Sequence, residues 1–122
     1  MRKRSIKRAS LGELLDAYAQ AASVHGRATE TGDYKTGNRA ADRVAAIYAE
    51  LRARGPDAQR SLLGLLKHEV PGVRGWAAAH ALDFAPSDGE AVLQALIPMG
   101  GFVGHDAEMT LKEWRQGRLK FP

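Results

Sequence analysis

A chain of 122 residues suits one domain with one continuous core, and it has no cysteine, so neither disulfides nor thiolate metal sites hold it together. Its net charge of +4 is concentrated at one end, because five of the 18 basic residues lie within the first eight positions and leave thirteen against 14 acids. A domain-wide footprint for nucleic acid is therefore excluded, and so is a membrane span, since the longest apolar run, 91–99, is interrupted by Gln94 and Pro98.

The first eight residues, Met1-Arg2-Lys3-Arg4-Ser5-Ile6-Lys7-Arg8, are basic like the start of a signal peptide, but Ser10-Leu11-Gly12-Glu13 follows where an apolar stretch is needed. Residues 1–9 read as a basic flexible tail, 10–117 as a single helical domain and 118–122 as a C-terminal tail. Ser10 and Glu13 have capping-box spacing, so a helix is expected from there. Leu11, Leu14, Leu15, Tyr18, Ala22 and His25 form its apolar stripe, with fraying expected between Gly26 and Gly32. Asp33 or Thr36 can cap a second helix that presents Ala40, Val44, Ile47, Tyr48 and Leu51 on one face. Arg39, Asp42, Arg43, Glu50 and Arg54 fall mostly on the other, and Gly55-Pro56 supplies a stop and a new start. The two helices are expected to pair as an antiparallel hairpin.

Four shorter helices are expected at about 57–67, 71–82, 87–97 and 105–116. Pro56 and Pro71 fit first-turn positions, Ser87 with Glu90 has the spacing of another capping box, and Pro98 with Gly100-Gly101 reads as a terminator.

A repeat of thirty residues runs through this half of the chain. Pro56 matches Pro86; Leu62, Leu63 and Leu66 match Val92, Leu93 and Leu96; Val73, Ala77 and Ala81 match Val103, Ala107 and Leu111. The matched positions are those a helical hairpin must bury, so each unit needs a neighbour to stack on. From Leu62-Leu63-Gly64-Leu65-Leu66 through Val73-Arg74-Gly75-Trp76-Ala77-Ala78-Ala79-His80-Ala81-Leu82 the chain resembles a HEAT repeat. That resemblance is good over 56–82, weaker over 86–114 and poor for the N-terminal hairpin.

Residues 38–115 also resemble a small bacterial family known as a domain of unknown function. Tyr48-Ala49-Glu50-Leu51, Arg54-Gly55-Pro56, Trp76-Ala77-Ala78-Ala79-His80 and Ala107-Glu108-Met109-Thr110-Leu111-Lys112-Glu113-Trp114 carry that likeness. The family sits among armadillo/HEAT-like α–α superhelices and lends no catalytic residue. The expected fold is therefore all-α, with 10–117 a single HEAT-like domain, an α–α superhelix of about six helices stacked as HEAT-like hairpins.

Catalytic signatures are missing from the chain. His68-Glu69 opens a zinc-protease motif, but Gly72 stands where the second histidine belongs. Gly100-Gly101-Phe102-Val103-Gly104 lacks the lysine and preceding strand of a phosphate loop. His105, Asp106 and Glu108 read as residues near a helix N-terminus, where the macrodipole favours acids, and no cofactor or metal is implied. His80 lies on an inward stripe, read first as a buried neutral imidazole and second as a ligand contact or general base. Trp76 and Trp114 are expected as core anchors, and Arg74 as a link between adjacent repeats.

A non-enzymatic module that binds another protein, of immunity or scaffolding type, is the expected function, in the cytoplasm. Asn38, Arg39, Arg43, Arg74 and His80 are the candidate partner-contacting residues. The alternatives are a nucleic-acid-associated protein using the basic tail and an enzyme with a site near His80.

Overall fold

A computed structural model describes residues 5–122; Arg2, Lys3 and Arg4 of the basic cluster lie outside the described residues. The architecture is all-α. Six α-helices follow one another among the described residues: α1 Leu11–Thr31, α2 Tyr34–Ala53, α3 Pro56–Arg60, α4 Pro71–Ala81, α5 Pro86–Leu96 and α6 Gly101–Arg115. Short 3-10 turns add Ile6–Arg8, Ser61–Lys67 and Ile97–Met99.

The first helix starts where its capping chemistry dictates. Ser10 Oγ accepts from the Glu13 amide at 3.1 Å while Glu13 accepts from the Ser10 amide at 2.8 Å. Two otherwise orphaned amides are satisfied, and Ser10→Ala is expected to cost about 1 kcal/mol in urea unfolding. The helix does not fray at Gly26. It runs on to Thr31 and ends at Gly32, whose φ of 77° places it in the left-handed region, with its amide bonded back to Ala28 and Thr29. Packing against α2 sustains those extra turns, since Ala28 is buried with its Cβ close to Gly37. Asp33 then caps α2 by accepting from the Thr36 amide, and hydrogen bonding from the Thr36 side chain, together with that amide, holds its carboxyl below the usual range.

Three other elements depart from expectation. The helix expected over 57–67 is α-helical only for Pro56–Arg60 and tightens to 3-10 over Ser61–Lys67. No capping box forms at Ser87: Pro86 takes the first helical position, Ala85 stands as N-cap, and Glu90 pairs instead with Arg115 at 3.0 Å. The last helix begins at Gly101, four residues early, because Gly100 turns the chain at φ 67° and Gly104 packs against the Ile97 carbonyl. Asp106 and Glu108 therefore stand beyond the first turn of α6, outside the reach of the N-terminal dipole.

The core has two lobes that share α4 as a common wall. Leu14, Tyr18, Val44, Ile47, Tyr48, Leu51 and Leu62 surround Val73 and Ala77 of α4 on one side. On the other, Leu93, Leu96, Ala107 and Leu111 close on Ala78 and Leu82. An element buried on both sides needs small residues to admit two neighbours, which accounts for the alanines of α4. Trp76 and Trp114 are half-buried at the edges of these lobes rather than at their centres.

The thirty-residue spacing is visible in the structure. Pro56 and Pro86 each occupy the first position of a helix, and α4 and α6 begin at Pro71 and Gly101, again thirty apart. Ala77 and Ala107 are both buried, as are Ala81 and Leu111. Val73 is fully buried while its counterpart Val103 is only partly so, lying at the edge of a groove. After α6 the chain turns at Gly117, φ 71°, and lays Leu119 and Phe121 against the second lobe.

Candidate functional site

Two features share α1 and α4. The first is an open groove of about 670 Å³. Ala22 and Gly26 of α1 and Gly72, Gly75 and Ala79 of α4 give it a shallow floor of small residues. Trp76 and His25 close one side, with Trp76 Nε1 donating to His25 Nδ1 at 3.3 Å and the rings edge to face. Met99, Phe102, Val103 and Met109 form the opposite wall. Charge is confined to Arg27, Glu30 and Asp106.

The second is a buried polar network behind the groove. Tyr18 of α1 and His80 of α4 share a hydrogen bond of 2.7 Å between the phenol and Nδ1. Tyr48 of α2 stacks on the His80 ring at 4.4 Å and 8°. Its hydroxyl donates to Asp83 at 2.6 Å and accepts from Gln59 at 2.8 Å. Arg52 joins from solvent, contacting Asp83 at 3.2 Å, covering the Tyr48 ring, and bonding the Pro122 carbonyl. Four helical segments and the end of the chain are thereby tied together.

Tyr18, Tyr48 and His80 each keep one protonation state around neutrality. Burial lowers His80 to about 4, with Asp83 opposing and Arg52 reinforcing the shift, so the imidazole is neutral. Burial, with Tyr48 nearby, raises Tyr18, and burial plus the bond to Asp83 raises Tyr48. A general acid or base works best with a pKa near the working pH, and none of these three has one. The arrangement is chemically a clamp.

The residues singled out in the sequence fall in three separate places. His80 is buried at the centre of the network, its exposure only 6%. Arg74 donates to the carbonyls of His68 at 2.8 Å and Glu69 at 3.2 Å, bracing the turn before its own helix, and approaches Met99 Sδ at 3.9 Å. Arg39 and Arg43 line a different groove between α1 and α2, while exposed Asn38 lines neither. Sequence reasoning missed Asp83 and Arg52, whose partners lie more than thirty residues away, and the wall of Met99, Phe102 and Met109. Among the described residues, no group of three or more His, Cys, Asp or Glu could hold a metal ion, and no helix is long and apolar enough to cross a membrane.

Helix-on-helix packing around a shared alanine-rich wall, with an open groove on one side, defines the class as an all-α domain of consecutively packed helices. Residues 12–114 match the domain of unknown function DUF2019, and the chain belongs to that family. The structure is similar to the crystal structure of the protein RPA1889 from Rhodopseudomonas palustris CGA009, with a TM-score of 0.88 and 26% identity over 98% of this chain and 100% of that one. No curated protein matches the sequence.

Proposed function

We propose that this domain is a HEAT-like module of helical hairpins that binds another protein in the cytoplasm through the groove between α1, α4 and α6. One observation carries the proposal. Of five large apolar side chains exposed among the described residues, three belong to this groove: Met99 at 54%, Phe102 at 56% and Met109 at 39%. Scattered exposed apolar groups are ordinary, but a cluster beside a concave floor is the mark of a contact surface. Thioethers adapt to irregular partners, and a rigid aromatic supplies an anchor. The HEAT-like part of the proposal is supported by the two α, 3-10, α units that start thirty residues apart. Within it, an immunity-type or scaffolding role needs a docking surface and no catalytic group.

The test separates binding from folding. Replacing Met99, Phe102 and Met109 together with serine is expected to leave urea unfolding within about 0.5 kcal/mol per site, because exposed side chains contribute little. The same variant is expected to lose the proteins that the native chain retains from a lysate of its own cells. Equal retention by both would remove the groove from the proposal.

A further inference from the structure

The groove between α1 and α2 carries an independent signature. It encloses about 490 Å³ and takes none of its lining from α4. Thr36, Arg39, Ala40 and Arg43 line it at helical spacing, as do Ala17, Gln20, Ala21 and Val24 from α1. The floor is apolar and the α2 edge is basic. The groove follows the chain from Ala9 to Val24, most of it along α1, a length of about 22 Å at helical rise, which suits a helix of about four turns. Alanines on the floor let such a helix approach closely.

Charge decides what that helix is. Among the described residues neither Arg39 nor Arg43 has an ion pair, and Asp33, whose carboxyl feels the charge of Arg39, is committed to capping α2. Glu13, the acid that lines the groove, is engaged in the α1 capping box. A second copy of the chain would bring the same two guanidinium groups and no acidic stripe from this face to meet them. A nucleic-acid backbone gains nothing from the partly exposed apolar surface of Ala17 and Val24. We propose that this groove receives an amphipathic helix of an acidic partner protein, its apolar face on the α1 alanines and its carboxylates against Arg39 and Arg43. This is helix-in-groove recognition with the register set by charge.

Fluorescence anisotropy with the full chain tests it, using three labelled probes in about 0.15 M salt. One is a synthetic helix of about eighteen residues with leucine and alanine on one face and glutamate flanking it; the second has lysine for glutamate; the third is a single-stranded DNA of similar length. The acidic peptide is expected to bind saturably and the lysine peptide not. Arg39→Glu with Arg43→Glu is expected to weaken the acidic peptide at least about tenfold and to create binding of the lysine peptide, with an unchanged circular dichroism melt. Failure of the acidic peptide to bind, indifference to the double variant, or DNA binding that the same variant abolishes would overturn the proposal. Phe102→Ser is expected to leave the acidic peptide's affinity unchanged. Loss of affinity in that variant would place the peptide in the other groove, overturning this inference and leaving the Met99, Phe102 and Met109 surface standing.

Discussion

Acidification from about pH 6.5 to about pH 4 is expected to remove about 3 kcal/mol of folding stability through His80 alone. In the fold His80 is neutral down to about 4, because burial between Tyr18, Tyr48 and Trp76 penalises the imidazolium. In the unfolded chain an ordinary histidine takes its proton near 6.5. Between those values the unfolded state binds the extra proton, so stability is complete above about 6.5 and declines as pH falls, by at most about 1.4 kcal/mol per unit. Other groups titrate over the same range, and the diagnostic quantity is a difference. His80→Gln keeps an acceptor for the Tyr18 hydroxyl but has no proton to gain. Urea unfolding at several pH values should show the native chain losing stability faster than that variant between 6.5 and 4. Parallel curves would mean that His80 is solvated and that the network is looser than its 2.7 Å bond indicates.

Gly89→Ala is expected to destabilise the fold by about 1–3 kcal/mol, although alanine is the better helix former by about 0.5–1 kcal/mol. A Cβ at position 89 would stand 2.6 Å from the Ala78 carbonyl oxygen and 3.1 Å from the Leu82 amide nitrogen. Both are backbone atoms, so α4 and α5 have to move apart. Gly26→Ala supplies the contrast: nothing lies within 4 Å of its Cβ position in the middle of α1, and a gain of about 0.5–1 kcal/mol is expected. Urea midpoints of the two variants should shift in opposite directions. A neutral or stabilising Gly89→Ala would contradict the close contact at the shared wall.

Local chemistry made much of this fold legible. The Ser10/Glu13 capping box, the Asp33 cap, and prolines at the first positions of α3 and α4 act within a few residues, and the structure contains each of them. The thirty-residue spacing matched the helix starts at Pro56 and Pro86 for the same reason, since buried positions recur wherever hairpins are built alike. Long-range competition accounts for the failures. Ser87 and Glu90 have the right spacing for a cap, yet Arg115 claims the Glu90 carboxylate from twenty-five residues away. Gly100-Gly101 was legible as a break but not as the start of α6, because that start depends on Gly104 meeting the Ile97 carbonyl.

The candidate surface was less legible than the fold. An apolar stripe such as Met99, Phe102 and Met109 has the same spacing whether or not another helix covers it, and only the arrangement of neighbours reveals that none of the described residues does. His80 was placed correctly on an inward stripe, whereas Asp83 meets Tyr48 and Arg52, one turn apart on α2, only through the way the end of α4 approaches α2. Separations of 31 and 35 residues leave no local trace.

The proposal that the α1, α4 and α6 groove is a protein-docking surface is tested most directly by photo-crosslinking in the cell. A benzophenone side chain replaces Phe102 in one variant and Gln94, exposed on α5 and outside both grooves, in another. Discrete adducts of a defined protein from position 102, missing from position 94, are the predicted result. The same faint, unselective labelling from both positions would contradict it.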